Sequence, residues 1–123
     1  MKKKILVIED DNSIRKALKN KLLEEDFNVM EAVNGLQGLE LALSRKPDLI
    51  LLDIVMPLMD GLTVLKKLRE DIWGRDAKVI ILSNLSDAKS VETSMEQGVY
   101  NYLVKANWRI EDVMEKIRET LAQ

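Results

Sequence analysis

Leu49-Ile50-Leu51-Leu52 contains no polar residue; the chain then delivers Asp53 and reaches Pro57 through Ile54-Val55-Met56. A strand with one wet face alternates apolar and polar residues, so an unbroken apolar run predicts a strand buried on both faces. Such a strand belongs inside a parallel sheet covered by helices, and Asp53 is expected at its carboxyl end. The next three residues offer that acid no positive partner, which makes it a turn-former or a reagent.

The rest of the chain repeats the same unit. Ile5-Leu6-Val7-Ile8 predicts a first strand, and Glu9-Asp10-Asp11-Asn12-Ser13 starts a helix with Ile14, Ala17, Leu18, Lys21 and Leu22 at helical spacing. A weaker strand over Phe27 to Ala32 turns at Asn34-Gly35 into a helix with the stripe Leu36, Leu39, Ala42 and Leu43, closed by Pro47. After the central strand, Asp60-Gly61 opens a helix bearing Leu62, Leu65, Leu68 and Ile72, followed by the polar turn Trp73-Gly74-Arg75-Asp76. Lys78 to Leu82 is the fourth strand, ending at Ser83, with a helix beginning near Ser86-Asp87. Its apolar stripe holds only Ala88, Val91 and Met95, so it is expected to be the most mobile helix. Gly98 ends it, Tyr100 to Val104 delivers Lys105, and Ile110, Val113, Met114, Ile117 and Leu121 line the last helix. Five strand-helix units without a linker predict one α/β domain over residues 1–123, built on a parallel sheet.

All strand carboxyl ends of such a sheet share one edge, where ligands bind. Glu9, Asp10, Asp53, Ser83 and Lys105 therefore become neighbours. Singly, each has a plainer reading: Asp10 or Asp11 as a helix cap, Ser83 as a loop hydroxyl, Lys105 as a solvated charge. Jointly they form a site. Two carboxylates about 5 Å apart repel by roughly 3 kcal/mol at an effective dielectric near 20, and one ammonium cannot neutralise three of them. Oxygen-only acidic ligands with room for water suit Mg²⁺. With the cation bound, Asp53 can attack phosphorus while Lys105 and Ser83 hold the phosphoryl oxygens, giving an acyl phosphate.

Composition removes competing chemistries. The chain has no His, and so no imidazole base, histidine metal ligand or Ser-His-Asp triad; with no Cys it can form no disulfide. Nineteen basic against 21 acidic residues give a net charge of −2, and no basic face is legible, so direct nucleic-acid binding is not expected. Met1-Lys2-Lys3-Lys4 is followed by only four apolar residues before Glu9, which is neither a signal peptide nor a membrane span. A cytoplasmic location without membrane contact is the expectation.

Glu9-Asp10 after the first strand, Leu52-Asp53 with Met56-Pro57 and Asp60-Gly61, the Ser83 hydroxyl, and Gly98 leading to Tyr102-Leu103-Val104-Lys105 resemble the receiver domain of two-component response regulators. The resemblance runs from Lys4 to Leu121. It implies a flavodoxin-like (βα)5 three-layer sandwich with strand order 2-1-3-4-5, which sets Glu9 and Asp10 against Asp53. It further implies that Asp53 accepts a phosphoryl group from the phosphohistidine of a sensor histidine kinase or histidine phosphotransfer protein. Asp10, Asp53 and the backbone carbonyl of Val55 would ligate Mg²⁺, with Glu9 acting through a bound water. Lys105 would pair with the phosphoryl group, Ser83 would move to hydrogen-bond it, and Tyr102 would turn inward. That change would alter the face of the fourth helix, fifth strand and fifth helix, toward a downstream protein, an output domain of the same protein or a phosphorylation-dependent homodimer.

Three departures from the family pattern are expected to matter. Ala106 stands where the family commonly has proline after the lysine, Asn84 stands where a small residue is frequent beside Ser83, and Tyr100 is an added aromatic. Asn84 and Ala106 are expected to modulate access to Asp53 and so the lifetime of the phosphorylated form. The expected role is a switch that catalyses only its own phosphorylation and dephosphorylation, stand-alone or excised from a longer regulator. A haloacid dehalogenase-type hydrolase would carry a second acid where Val55 stands, and a flavin binder would need a phosphate-cradling loop. The remaining alternative is a degenerate receiver acting as a phosphorylation-independent interaction module.

Overall fold

The computed structural model describes residues 2–123. Strands β1 (Lys4–Ile8), β2 (Asn28–Ala32), β3 (Leu49–Leu52), β4 (Val79–Ser83) and β5 (Asn101–Val104) alternate with helices α1 (Asn12–Glu24), α2 (Gly35–Arg45), α3 (Gly61–Glu70), α4 (Ala88–Glu96) and α5 (Ile110–Leu121). Short 3-10 turns occupy Gly74–Asp76 and Lys105–Asn107. The five strands are parallel in the order β2-β1-β3-β4-β5. This is the flavodoxin-like three-layer sandwich, and β3 is its middle strand.

Side chains that alternate along the central strands split between two cores. Leu6, Ile8, Ile50, Leu52, Val79 and Ile81 face one layer, together with Ala42 of α2 and Val64, Leu65 and Leu68 of α3. Ile5, Val7, Leu49, Leu51, Ile80 and Leu82 face the other, with Leu18 and Leu22 of α1 and Val113, Met114 and Ile117 of α5. Every residue of β3 is buried, because helices cover both faces of the sheet there. Each fully buried aliphatic side chain contributes about 1.5–3 kcal/mol. The strand that delivers Asp53 is thus firmly held, as is β4, whose five residues are all buried as well.

Helix starts follow the expected chemistry. Asp11, Asn34, Asp60 and Asp87 cap α1, α2, α3 and α4, each accepting from the amide three residues on. The choice left open between Asp10 and Asp11 is settled: Asp11 is the cap and Asp10 is not.

Four helical readings need correction. Ile72 lies beyond the end of α3 and is 84% exposed, because the helix stops at Glu70. Leu36 is exposed while α2 packs through Gly35, Gly38 and Ala42, whose small size brings its backbone close to β1 and the β3–α3 loop. In α1, Ala17 is exposed and Arg15 takes a buried place beside Leu18 and Leu22. In α4 the buried residue is Ser94, whereas Met95 is exposed. The Trp73-Gly74-Arg75-Asp76 stretch is only partly a polar turn, since Trp73 packs against the core and Gly74 is buried.

Candidate functional site

Ile8 pairs with Leu52 across β1 and β3, so the residues following each strand emerge side by side. The Asp53 amide donates to the Ile8 carbonyl at 3.1 Å, extending the ladder one step into the loop. Asp53 is 5% exposed and Glu9 2% exposed, while Asp10 faces solvent. One carboxylate oxygen from each of the three lies within 4.8 Å of the others.

Lys105 reaches this cluster from the end of β5. Its Nζ donates to Glu9 Oε1 at 2.6 Å and to Asp53 Oδ2 at 3.1 Å. The remaining Asp53 oxygen, Oδ1, accepts the Ile54 amide at 2.7 Å, and Glu9 Oε2 accepts the Asp11 amide at 3.1 Å. Burial alone would depress the Lys105 ammonium, yet the bonds to Glu9 and Asp53 outweigh it and hold the pKa above its ordinary value. Burial pushes the Glu9 carboxyl above the ordinary range, ahead of the opposing hydrogen bonds from Lys105 and the Asp11 amide. The two shifts have different causes: burial lifts Glu9 against the pull of Lys105, whereas the two acids lift Lys105 against its burial.

These residues surround a cavity of about 300 Å³ lined by Glu9, Asp10, Asp11, Ile14, Asp53, Val55, Ser83, Asn84 and Lys105. A donor set of three clustered carboxylates with solvent access on the Asp10 side fits a hard divalent cation. Gly61 lets the chain pass close behind the acid: a Cβ there would sit 2.1 Å from the Asp53 carbonyl oxygen. Its amide bonds the Ile54 carbonyl at 2.7 Å, so α3 begins directly against the backbone of the acid.

Ser83 is fully buried at the end of β4, its Oγ accepting the Leu85 amide at 3.3 Å. Tyr102 lies behind it, outside the cavity. The ring packs against the core on the α2–α3 side, and the hydroxyl donates to the Leu85 carbonyl at 2.6 Å. Burial raises the Tyr102 pKa, as does the charge of Asp87, so the phenol stays a donor. Asn84 is exposed on the cavity rim. Ala106 is exposed in the turn after Lys105 and is not among the lining residues; the Lys105-Ala106 peptide is trans. Tyr100 is 37% exposed, with Lys78 Nζ 6.0 Å from its ring centroid.

Arg15 was not foreseen at the site. Its guanidinium donates to the Glu9 carbonyl at 2.9 Å, directly behind the acidic cluster. The available signal was its spacing, because Arg15, Leu18 and Leu22 share one face of α1.

The sequence profile of the response regulator receiver domain matches residues 5–118. The chain belongs to that family. This receiver domain is 30% identical over 121 residues to the sporulation initiation phosphotransferase F of Bacillus subtilis, covering 98% of this chain and 95% of that protein. It is 33% identical over 118 residues to the DNA-binding dual master transcriptional regulator RpaA of Synechocystis, covering 96% of this chain and 48% of that protein. The receiver domain thus spans about half the length of RpaA and nearly all of the Bacillus protein. The crystal structure of a CheY-like response regulator receiver domain protein from Methanospirillum hungatei superposes with a TM-score of 0.92 at 28% identity, covering 99% of this chain and 95% of that one. Among the described residues, no helix is long and apolar enough to cross a membrane.

Proposed function

We propose that this receiver domain is a phosphorylation switch whose acceptor is Asp53. The observation that carries the reading is a buried carboxylate at the end of the middle strand, bonded to Lys105 at 3.1 Å and clustered with Glu9 and Asp10. The donor is the phosphohistidine of a sensor histidine kinase or histidine phosphotransfer protein. An Asp53 carboxylate oxygen attacks phosphorus, the P–O bond forms as the P–N bond breaks, and the imidazole leaves the acid as an acyl phosphate. Receiver domains are not turnover enzymes, and catalysis here is confined to the domain's own phosphorylation and dephosphorylation.

Asp10, Asp53 and the Val55 carbonyl would hold Mg²⁺ directly, and Glu9 through a water. The ion supplies the positive charge that one lysine lacks and steadies the charge of the transferring group. The chain's own residues do the rest. The Ile54 amide fixes Asp53 Oδ1, so the carboxylate plane is set before the donor arrives. Lys105 is already bonded to Asp53 and passes to a phosphoryl oxygen without crossing the site. The Ser83 hydroxyl follows, releasing the Leu85 amide, and the Leu85 carbonyl that holds Tyr102 moves with that loop. The face of α4, β5 and α5 thereby changes, and with it the contact to a downstream protein, an output domain or a second copy.

The domain is expected to work in the cytoplasm. No nucleic-acid contact is assigned to these residues; this chain covers 48% of the DNA-binding RpaA. Titration with Mg²⁺ and beryllofluoride tests the reading. A rise in Tm, with NMR shift changes at Ser83, Tyr102 and α4 that D53A lacks, is expected. Equal binding by D53A contradicts the acceptor, and binding without change at Tyr102 and α4 contradicts the switch.

A further inference from the structure

Arg15 is a buried charge that the phosphoryl chemistry leaves unused. Its side chain is 9% exposed and its guanidinium ties three segments together. Nη1 donates to the Glu9 carbonyl at 2.9 Å, Nη2 to Asn12 Oδ1 at 2.6 Å, and Nε to Glu31 Oε1 at 3.3 Å. Lys19 holds the other oxygen of Glu31 at 3.0 Å. Glu31 lies on β2 opposite Val7, so the fork reaches from α1 across the end of β1 to the edge strand.

The peptide it grips is the one that carries the acids. The Glu9 amide is fixed by the Ala32 carbonyl at 3.0 Å, and Arg15 fixes the Glu9 carbonyl. They hold the two peptide planes on either side of the Glu9 Cα, and the Arg15 bond is the one that sets the plane between Glu9 and Asp10. Turning that plane would swing the Asp10 carboxylate relative to Glu9 and Asp53. It would also strain the bond from the Asp11 amide to Glu9 Oε2, which is 3.1 Å long.

We propose that Arg15 is a positioning residue for the divalent-cation site, holding the Glu9-Asp10 peptide so that both carboxylates point at the same place as Asp53. The inference rests on the reading of these three acids as cation ligands. A guanidinium suits the task because its rigid planar fork fixes the directions of the acceptors it meets, whereas an ammonium is a point charge on a flexible stem. Docking α1 onto β2 is the competing role, and it runs through Glu31, not through the Glu9 carbonyl.

Glu31→Gln separates the two roles, since it weakens the ion pair and leaves the Glu9 carbonyl bonded. The experiment compares R15K, R15M and E31Q with the native chain by calorimetric Mg²⁺ titration and by amide hydrogen exchange without metal. Both Arg15 variants are expected to bind Mg²⁺ about tenfold more weakly, as loss of a supporting hydrogen bond to a ligand segment commonly does. They should also exchange the Asp11 amide faster, while E31Q keeps near-native affinity and exchange. Native affinity in R15K and R15M, or an equal loss in E31Q, overturns the proposal, as does loss of folding in both Arg15 variants. If the native chain itself takes up no Mg²⁺, the cation reading fails, and Asp11 exchange decides the role of Arg15 by itself: native exchange in R15K overturns it.

Discussion

Asp53 and Glu9 are both buried, and Lys105 is shared between them. Such an arrangement leaves the two buried acids one positive charge short, and the Asp10 carboxylate widens the deficit, which favours a cation and, after it, an incoming phosphoryl group bearing charge that Lys105 can meet. Asn84 is where this chain alters the rim. Its exposed side chain lines the cavity, so N84A should open a path for water to the acyl phosphate and speed its hydrolysis several-fold. Loss of phosphoryl label after removal of the donor measures this, and an unchanged or longer lifetime contradicts it. Asp53, Lys105 and Ser83 were legible from the sequence because each ends a strand of a parallel sheet. Arg15 was not, because a charge on a helix face reads as solvated until its partner on β2 is known, and sequence spacing does not reveal that partner.

Two helices flank the acid with opposite degrees of anchoring. α3 starts against the Asp53 backbone, where Gly61 leaves no room for a side chain. G61A should therefore push the helix away and destabilise the fold by about 2 kcal/mol or more, read as a lower urea midpoint. α4 buries only Ser94, which supports the expectation that it moves most easily, though its apolar stripe was misplaced. Stripes fail at helix ends and on short helices: Ile72 falls past a helix that stops at Glu70, and Met95 sits beside the buried face, not on it. The start of α4 is held by Asp87, whose carboxyl is drawn below its ordinary range by hydrogen bonding to Ser90. Over that window the native state binds fewer protons than the unfolded one, so stability rises with pH there. The cap's contribution is present above the unfolded value of about 3.9 and is lost as pH falls through the folded value. In hydrogen exchange the first turn of α4 should be less protected in D87A than in the native chain at neutral pH. That difference should fade in acid, and a pH-independent difference contradicts the capping role.

At the scale of the molecule, strand order decides function. Placing β3 between β1 and β4 brings acids from two strands, a hydroxyl from a third and a lysine from a fourth to one edge. The alternation of strands and helices was readable from apolar runs and stripes, whereas the order of the strands came from family resemblance, since pairing between distant segments leaves no local pattern. In the proposed function, the covalent event on Asp53 precedes whichever output the domain serves. Intact-protein mass spectrometry after incubation with Mg²⁺ and acetyl phosphate tests that event directly. The expected result is a gain of one phosphoryl group in the native chain and none in D53A; an unchanged native mass, or the same gain in D53A, contradicts Asp53 as the acceptor.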